Sequence, residues 1–244
     1  MKLLLVLTIS VRLCEYLAVA DLAGNEQRVI INQDSALNEK EGEQMNELLN
    51  KAIASTNTVY LSAEKALLLA PQAVESVLSA NLTNNDPVAR AIARSVLDMR
   101  RRPDSPNNTA LKILSSTEER SLKTVRGTPH PDVTASQLYA SLGPAAAEYL
   151  ALRLVKDAEW QDKLQDWKAK SVLRYLHAAR NPDAADLVIQ FATETKRGDL
   201  RREAVEAFQG IDRPQLQRKL EAQRERLRNL GKVMPPELST LLRN

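Results

Sequence analysis

The chain has 244 residues, with 34 Lys and Arg against 31 Asp and Glu and a formal net charge of +3, so the bulk charge argues only weakly for nucleic acid or anionic lipid as a partner. Hydrophobic residues make up 43%, aromatics only 4%, and there are 7 glycines. That is enough apolar side chain for a buried core, and too few turn glycines for a β-sandwich or a nucleotide-binding α/β sheet. One cysteine and two histidines leave no cluster of metal-ligand spacing, so neither a metal nor another cofactor is expected.

Met1-Lys2 followed by the apolar run Leu3 to Val11 reads as the start of an export signal, and Ala18-Val19-Ala20 supplies a small-x-small cleavage site before Asp21. Residues 1–20 are therefore expected to be a signal peptide, which places the protein in the periplasm or outside the cell. The competing reading is the first core helix of a cytoplasmic protein, because Arg12 and Glu15 interrupt the apolar run. That run is too short for a transmembrane span. Val11-Arg12-Leu13 lacks the small residue expected before a lipidated cysteine at Cys14.

Residues 21–40 are polar and weakly patterned and are expected to form a loose leader. From Glu41 the period is helical, with Met45, Leu48, Leu49, Ala52 and Ile53 on one face. Ser55-Thr56-Asn57-Thr58 ends that helix, and Ser62 is placed to cap a second over 63–70. Pro71 opens a third, with Ala73, Val74, Val77, Leu78 and Leu82 apolar. Asp86 then caps, and Pro87 begins, a partner helix that reaches about Arg100.

Arg90, Ala93 and Leu97 of that helix recur 111 positions later as Arg201, Ala204 and Phe208, again after an apolar helix and a polar turn. A blurred copy spans Pro144 to His177, with Trp167-Lys168 where Leu200-Arg201 stand, and a more degenerate one spans Glu41 to Ala70. Repetition of a helix–turn–helix unit predicts stacked pairs, since one pair cannot cover its own apolar face. The run Asp86-Pro87-x-x-Arg90-x-x-Ala93 with Leu97 resembles the second helix of HEAT-like repeats, over about half the chain in all. The copy at 199–208 departs from the pattern, because Asp199 stands two residues before Arg201 instead of four. The resemblance implies an all-α, irregular α-solenoid of stacked antiparallel pairs that presents a surface to partners. It does not imply an enzyme.

Between the repeat regions 41–100 and 144–211, the stretch 101–143 breaks the period and is expected to be an irregular insertion. It contains the proline loop Pro103 to Asn108, a capping box at Ser116-x-x-Glu119, a second loop at Gly127 to Asp132 and a helix opening at Thr134-x-x-Gln137. Trp160, Leu164 and Trp167 would share a face if one helix carried them, and core packing is the expected role of the tryptophans. Residues 212–244 form a basic capping or partner-binding helix and tail. Leu216, Leu220, Leu227 and Leu230 make its apolar seam, and it is rich in arginine.

No nucleotide-binding loop, dinucleotide fingerprint or nucleophile elbow is present. These readings converge on a non-catalytic protein-interaction scaffold of the cell envelope that binds protein partners, with membership of a multi-protein complex as one form of it. The residues placed to touch a partner are Arg100, Arg101 and Arg102, His130, and Arg218, Arg224, Arg226 and Arg228. The alternatives are a polyanion or nucleic-acid binder that uses the same arginines, and an enzyme with its site near His130.

Overall fold

The structure, a computed structural model, describes residues 26–121 and 131–243, with side chains over 40–116 and 135–243. Among those residues it is all-helical, with no strand: α1 Glu26–Ala54, α2 Asn57–Leu69, α3 Val74–Ala80, α4 Pro87–Arg101, α5 Pro106–Ser121, α6 Pro131–Ala140, α7 Ala147–Lys156, α8 Asp166–Ala179, α9 Ala185–Glu194, α10 Gly198–Glu206, α11 Arg213–Asn229 and α12 Pro236–Arg243. Two units divide between Glu41 and Gly42, and every contact described below lies within the second.

Local chemistry accounts for three of the helix starts. Asp86 accepts a hydrogen bond from Val88 N at 3.2 Å while Pro87 occupies the first helical position. Ser105 Oγ accepts from Asn108 N at 3.2 Å just ahead of Pro106. Asp212 accepts from Gln215 N at 3.2 Å beside Pro214. Each cap satisfies one of the amide groups that the first turn of a helix leaves without a partner.

Several predicted boundaries move. Helix α1 already runs from Glu26, so the part of the leader from Glu26 to Lys40 is helical. Ser62 lies inside α2, where its hydroxyl donates back to Thr58 O at 2.8 Å, and the helix starts after the extended Thr56. Ser116 likewise lies inside α5, bonded to Ile113 O, because Ser105-Pro106 supplies an earlier and better start. The stretch 101–143 is therefore largely two helices. Helix α6 packs along α8 and on α5, with Ala135 and Tyr139 fully buried, and the Tyr139 ring meets Tyr175 edge-on at 5.8 Å.

Helices adjacent in sequence pack as α3 with α4, α7 with α8 and α9 with α10. Across these, α4 and α9 both lie on α7, α10 lies on α8, and α11 and α12 lie on α9. One continuous apolar core runs through them from Leu49 to Leu238.

The repeated positions carry the same duties in both copies. Ala93 and Ala204 are fully buried, and Leu97 and Phe208 fill the core one turn later. In the blurred copy Ser171 and Tyr175 hold the corresponding places and are buried too. Trp160 and Trp167 are both buried, but not on one helix. Trp160 sits in a 3-10 turn, Ala158–Gln161, and Trp167 in α8, while Leu164 between them is 88% exposed. Leu216, Leu220 and Leu227 of the α11 seam are buried within the chain, and only Leu230 is exposed.

Candidate functional site

Among the described residues, Arg100, Arg201 and Lys156 serve the protein's own helix ends, and Arg90 serves a turn. The last carbonyls of a helix have no partner within the helix, and they carry its negative dipole end. Arg100 closes α2 by donating to Leu67 O at 3.0 Å, Leu68 O at 2.9 Å and Ala70 O at 2.8 Å. Arg201 closes α9 through Ala192 O at 3.0 Å and Thr195 O at 2.6 Å. Arg90, its counterpart in the other copy, donates to Asn84 O at 2.6 Å and Asn85 O at 3.1 Å in the turn that precedes its own helix. Lys156 closes α1 through Ile53 O at 2.5 Å and Ser55 O at 3.1 Å, across about a hundred residues of sequence.

A second polar assembly is enclosed altogether. Arg153 Nε donates to Asp157 Oδ2 at 2.6 Å, and Arg153 Nη1 to Tyr149 Oη at 3.1 Å. The guanidinium lies 5.5 Å from the Trp160 ring. Tyr60 Oη donates to Glu64 Oε1 at 2.7 Å. All five charged and phenolic partners are buried. Burial raises the carboxyls of Glu64 and Asp157 above their ordinary range, against the lowering effect of Arg153. Desolvation works against the Arg153 cation, but Tyr149, Asp157, Glu64 and Tyr60 together hold it firmly protonated. The assembly locks α2, α7 and the Trp160 turn in register. A solvent-borne ligand would have to displace packed side chains to reach it.

The open feature is a groove of about 470 Å³ where the start of α4, α9 and α11 meet, lined by Pro87, Arg90, Asp186, Ile189, Lys219 and Arg226 among others. Asp186 organises it. Its Oδ2 lies 2.6 Å from Lys219 Nζ and 3.5 Å from Arg90 Nη2. The repeat arginine thus has one hand on its own turn and one in the groove. Asp86, the other acid on the wall, already caps α4. Arg226 is exposed and makes no ion pair among the described residues. A carboxylate entering the groove meets Arg226 and Lys219, with the apolar surfaces of Pro87 and Ile189 beside them. A smaller groove of about 280 Å³ is lined by Leu173, Arg174, His177, Glu203 and Glu206, and there His177 Nδ1 donates to Glu206 O at 2.8 Å. That bond gives His177 a helix-closing duty like that of the arginines.

The predicted partner-binding residues are thereby sorted. Arg100 is engaged internally. Arg101 donates to Glu75 at 3.1 Å from an exposed position, and Arg102 pairs with Asp98. His130 lies outside the described residues. Arg218, Arg224, Arg226 and Arg228 are exposed on α11; Arg218 donates to Pro214 O at 3.3 Å and Arg228 pairs with Glu225 at 2.5 Å. Only Arg226 lines the larger groove. Asp186 and Lys219 were not legible as groove residues, because each looks like an ordinary surface charge until two helices bring them together. Among the described residues no group of His, Cys, Asp and Glu is placed to hold a metal ion, and no helix is long and apolar enough to cross a membrane.

Comparison with protein-family models, with curated proteins and with solved structures gives no match to this chain.

Proposed function

We propose that the protein is an exported, non-catalytic interaction scaffold of the cell envelope, built as an irregular HEAT-like α-solenoid, and that it holds an acidic segment of a protein partner in the groove between α4, α9 and α11. The observation that carries this reading is the groove itself, where Arg90 and Lys219 meet one organising carboxylate, Asp186, and Arg226 lines the same wall without an ion pair among the described residues. The solenoid part of the reading draws on the matched duties of Arg90 and Arg201 and on the way α7, α9 and α10 lie on one another. The same geometry disfavours the nucleic-acid alternative at Arg100 to Arg102, since Arg100 gives its donors to α2 carbonyls and the other two face carboxylates.

The test is crosslinking from the groove. A photoreactive side chain at Gln223, which also lines it, should capture an envelope protein through an acidic segment. Arg226→Glu should abolish that capture without lowering the melting temperature. Crosslinks to nucleic acid, or an intact Met1 on a purely cytoplasmic protein, would overturn the proposal.

A further inference from the structure

The turn between α11 and α12 holds two apolar side chains in the open. Leu230 is 61% exposed and Val233 is 92% exposed, although the other leucines of that seam are buried. The backbone beneath them is fixed. Gly231 sits in the left-handed region at φ 66°. Its N–H donates to Arg228 O at 3.0 Å, and the N–H of Lys232 donates to Leu227 O at 2.8 Å. That pair of bonds is the Schellman closure, which ends a helix on a glycine and satisfies its last carbonyls.

Charge surrounds the tip. Arg224, Arg226, Arg228 and Lys232 are all exposed, against Glu225, paired to Arg228, with Glu221 and Glu237 at the two ends of the stretch. Scattered exposed apolar residues need no explanation. Two of them on one rigid turn inside a basic collar form a combined feature with a definite chemical complement. That complement offers negative charge at its surface and an apolar medium just below. A nucleic-acid duplex supplies the first and not the second.

We propose that this tip is a contact for an anionic lipid surface, with Leu230 and Val233 entering the boundary between headgroups and acyl chains while Arg224, Arg228 and Lys232 meet lipid phosphates. Neither signal suffices alone. A shallow apolar insertion is reversible, and basic residues near a charged bilayer each add a modest, salt-sensitive attraction, so stable attachment takes the two together. The tip would bring the scaffold to a membrane surface as a peripheral protein, and this assignment does not depend on what occupies the groove.

A polarity-sensitive fluorophore on Val233→Cys in the full chain, with Cys14→Ser, reads the tip locally. Vesicles of phosphatidylcholine mixed with phosphatidylglycerol should shift its emission to the blue, and high salt should reverse the shift. Vesicles of phosphatidylcholine alone, and duplex DNA, should leave it unchanged. The same label on Leu69→Cys, a position 75% exposed elsewhere on the chain, should stay in water throughout. Lys232→Gln should weaken the titration about fivefold, and Leu230→Ser about tenfold. Absence of a shift on the mixed vesicles, an equal shift on neutral vesicles, or an equal shift at position 69 would overturn the proposal. The groove reading can fail or survive separately, since none of these arms touches Gln223 or its crosslinks.

Discussion

Arg201 shows what a single side chain does in this protein. It is largely buried, and its guanidinium joins the end of α9 to the start of α10 through Ala192 O and Thr195 O. Arg201→Ala leaves those carbonyls without a partner and is expected to cost about 2–3 kcal/mol, read as a fall in the urea midpoint. Arg201→Lys should recover only part of the loss, because an ammonium cannot present the guanidinium's planar fork of donors to two separated carbonyls. Lys156 makes a comparable closure with a pH signature. Burial pushes its ammonium from 10.5 down to about 8, against the raising effects of Asp86 and Glu194. Between those values the unfolded chain holds the proton and the folded chain does not, so stability rises with pH across that window. Tyr149 and Tyr175 act in the opposite sense. Burial raises both from 10.0 to about 12, the unfolded tyrosines lose their protons first, and stability falls as pH climbs between those values. Urea midpoints should therefore rise above pH 8 and then fall beyond 10. Lys156→Met should flatten the rising limb and keep the falling one.

At the scale of elements, the turns decide how neighbouring helices meet. Gly210, between α10 and α11, has φ +91°, and a Cβ there would stand 2.8 Å from Arg180 Nε. Arg180 itself closes α8 in the left-handed region at φ 50°. Two turns distant in sequence thus interlock, one needing a glycine and the other lying across it. Gly210→Ala is expected to destabilise by about 1–2 kcal/mol from backbone strain alone. Displacement of the Arg180 side chain should add a measurable increment, which Arg180→Ala in the same background would remove. A thermal-melt double-mutant cycle between these positions measures that coupling.

At the scale of the whole molecule, α11 and α12 act as a cover. Leu216, Leu220, Leu227 and Leu238 are buried, and both helices pack on α9. Removing residues 212–244 would bare the apolar side of α9. The shortened chain should bind a hydrophobic dye and aggregate at concentrations where the full chain does not, as expected of a helix array that has lost its terminal cap. The buried Arg153 assembly makes the interior intolerant of sliding, because any shift of α2 against α7 would carry Glu64 and Tyr60 away from the Arg153 guanidinium, whose buried charge they help to hold.

All-helical structure was legible in the sequence because its causes are local: alanine and leucine throughout, caps such as Asp86 and Asp212, prolines at first helical positions, and turn glycines kept to a few. The correspondence of Ala93 with Ala204, and of Leu97 with Phe208, was legible from repetition, and all four are buried. Local signals also misled. Ser62 and Ser116 look like caps, yet both sit inside helices: Ser105 caps an earlier start for the second, and the first begins after the extended Thr56 with no side-chain cap bond. What only the tertiary structure decided was which cations are free. Arg100 and Arg226 are alike as letters, but one reaches carbonyls about thirty residues away on α2 and the other finds no carboxylate among the described residues. A long side chain takes its partner from whichever neighbouring helix presents one, and pairings between distant helices are settled by core packing, which no local pattern records.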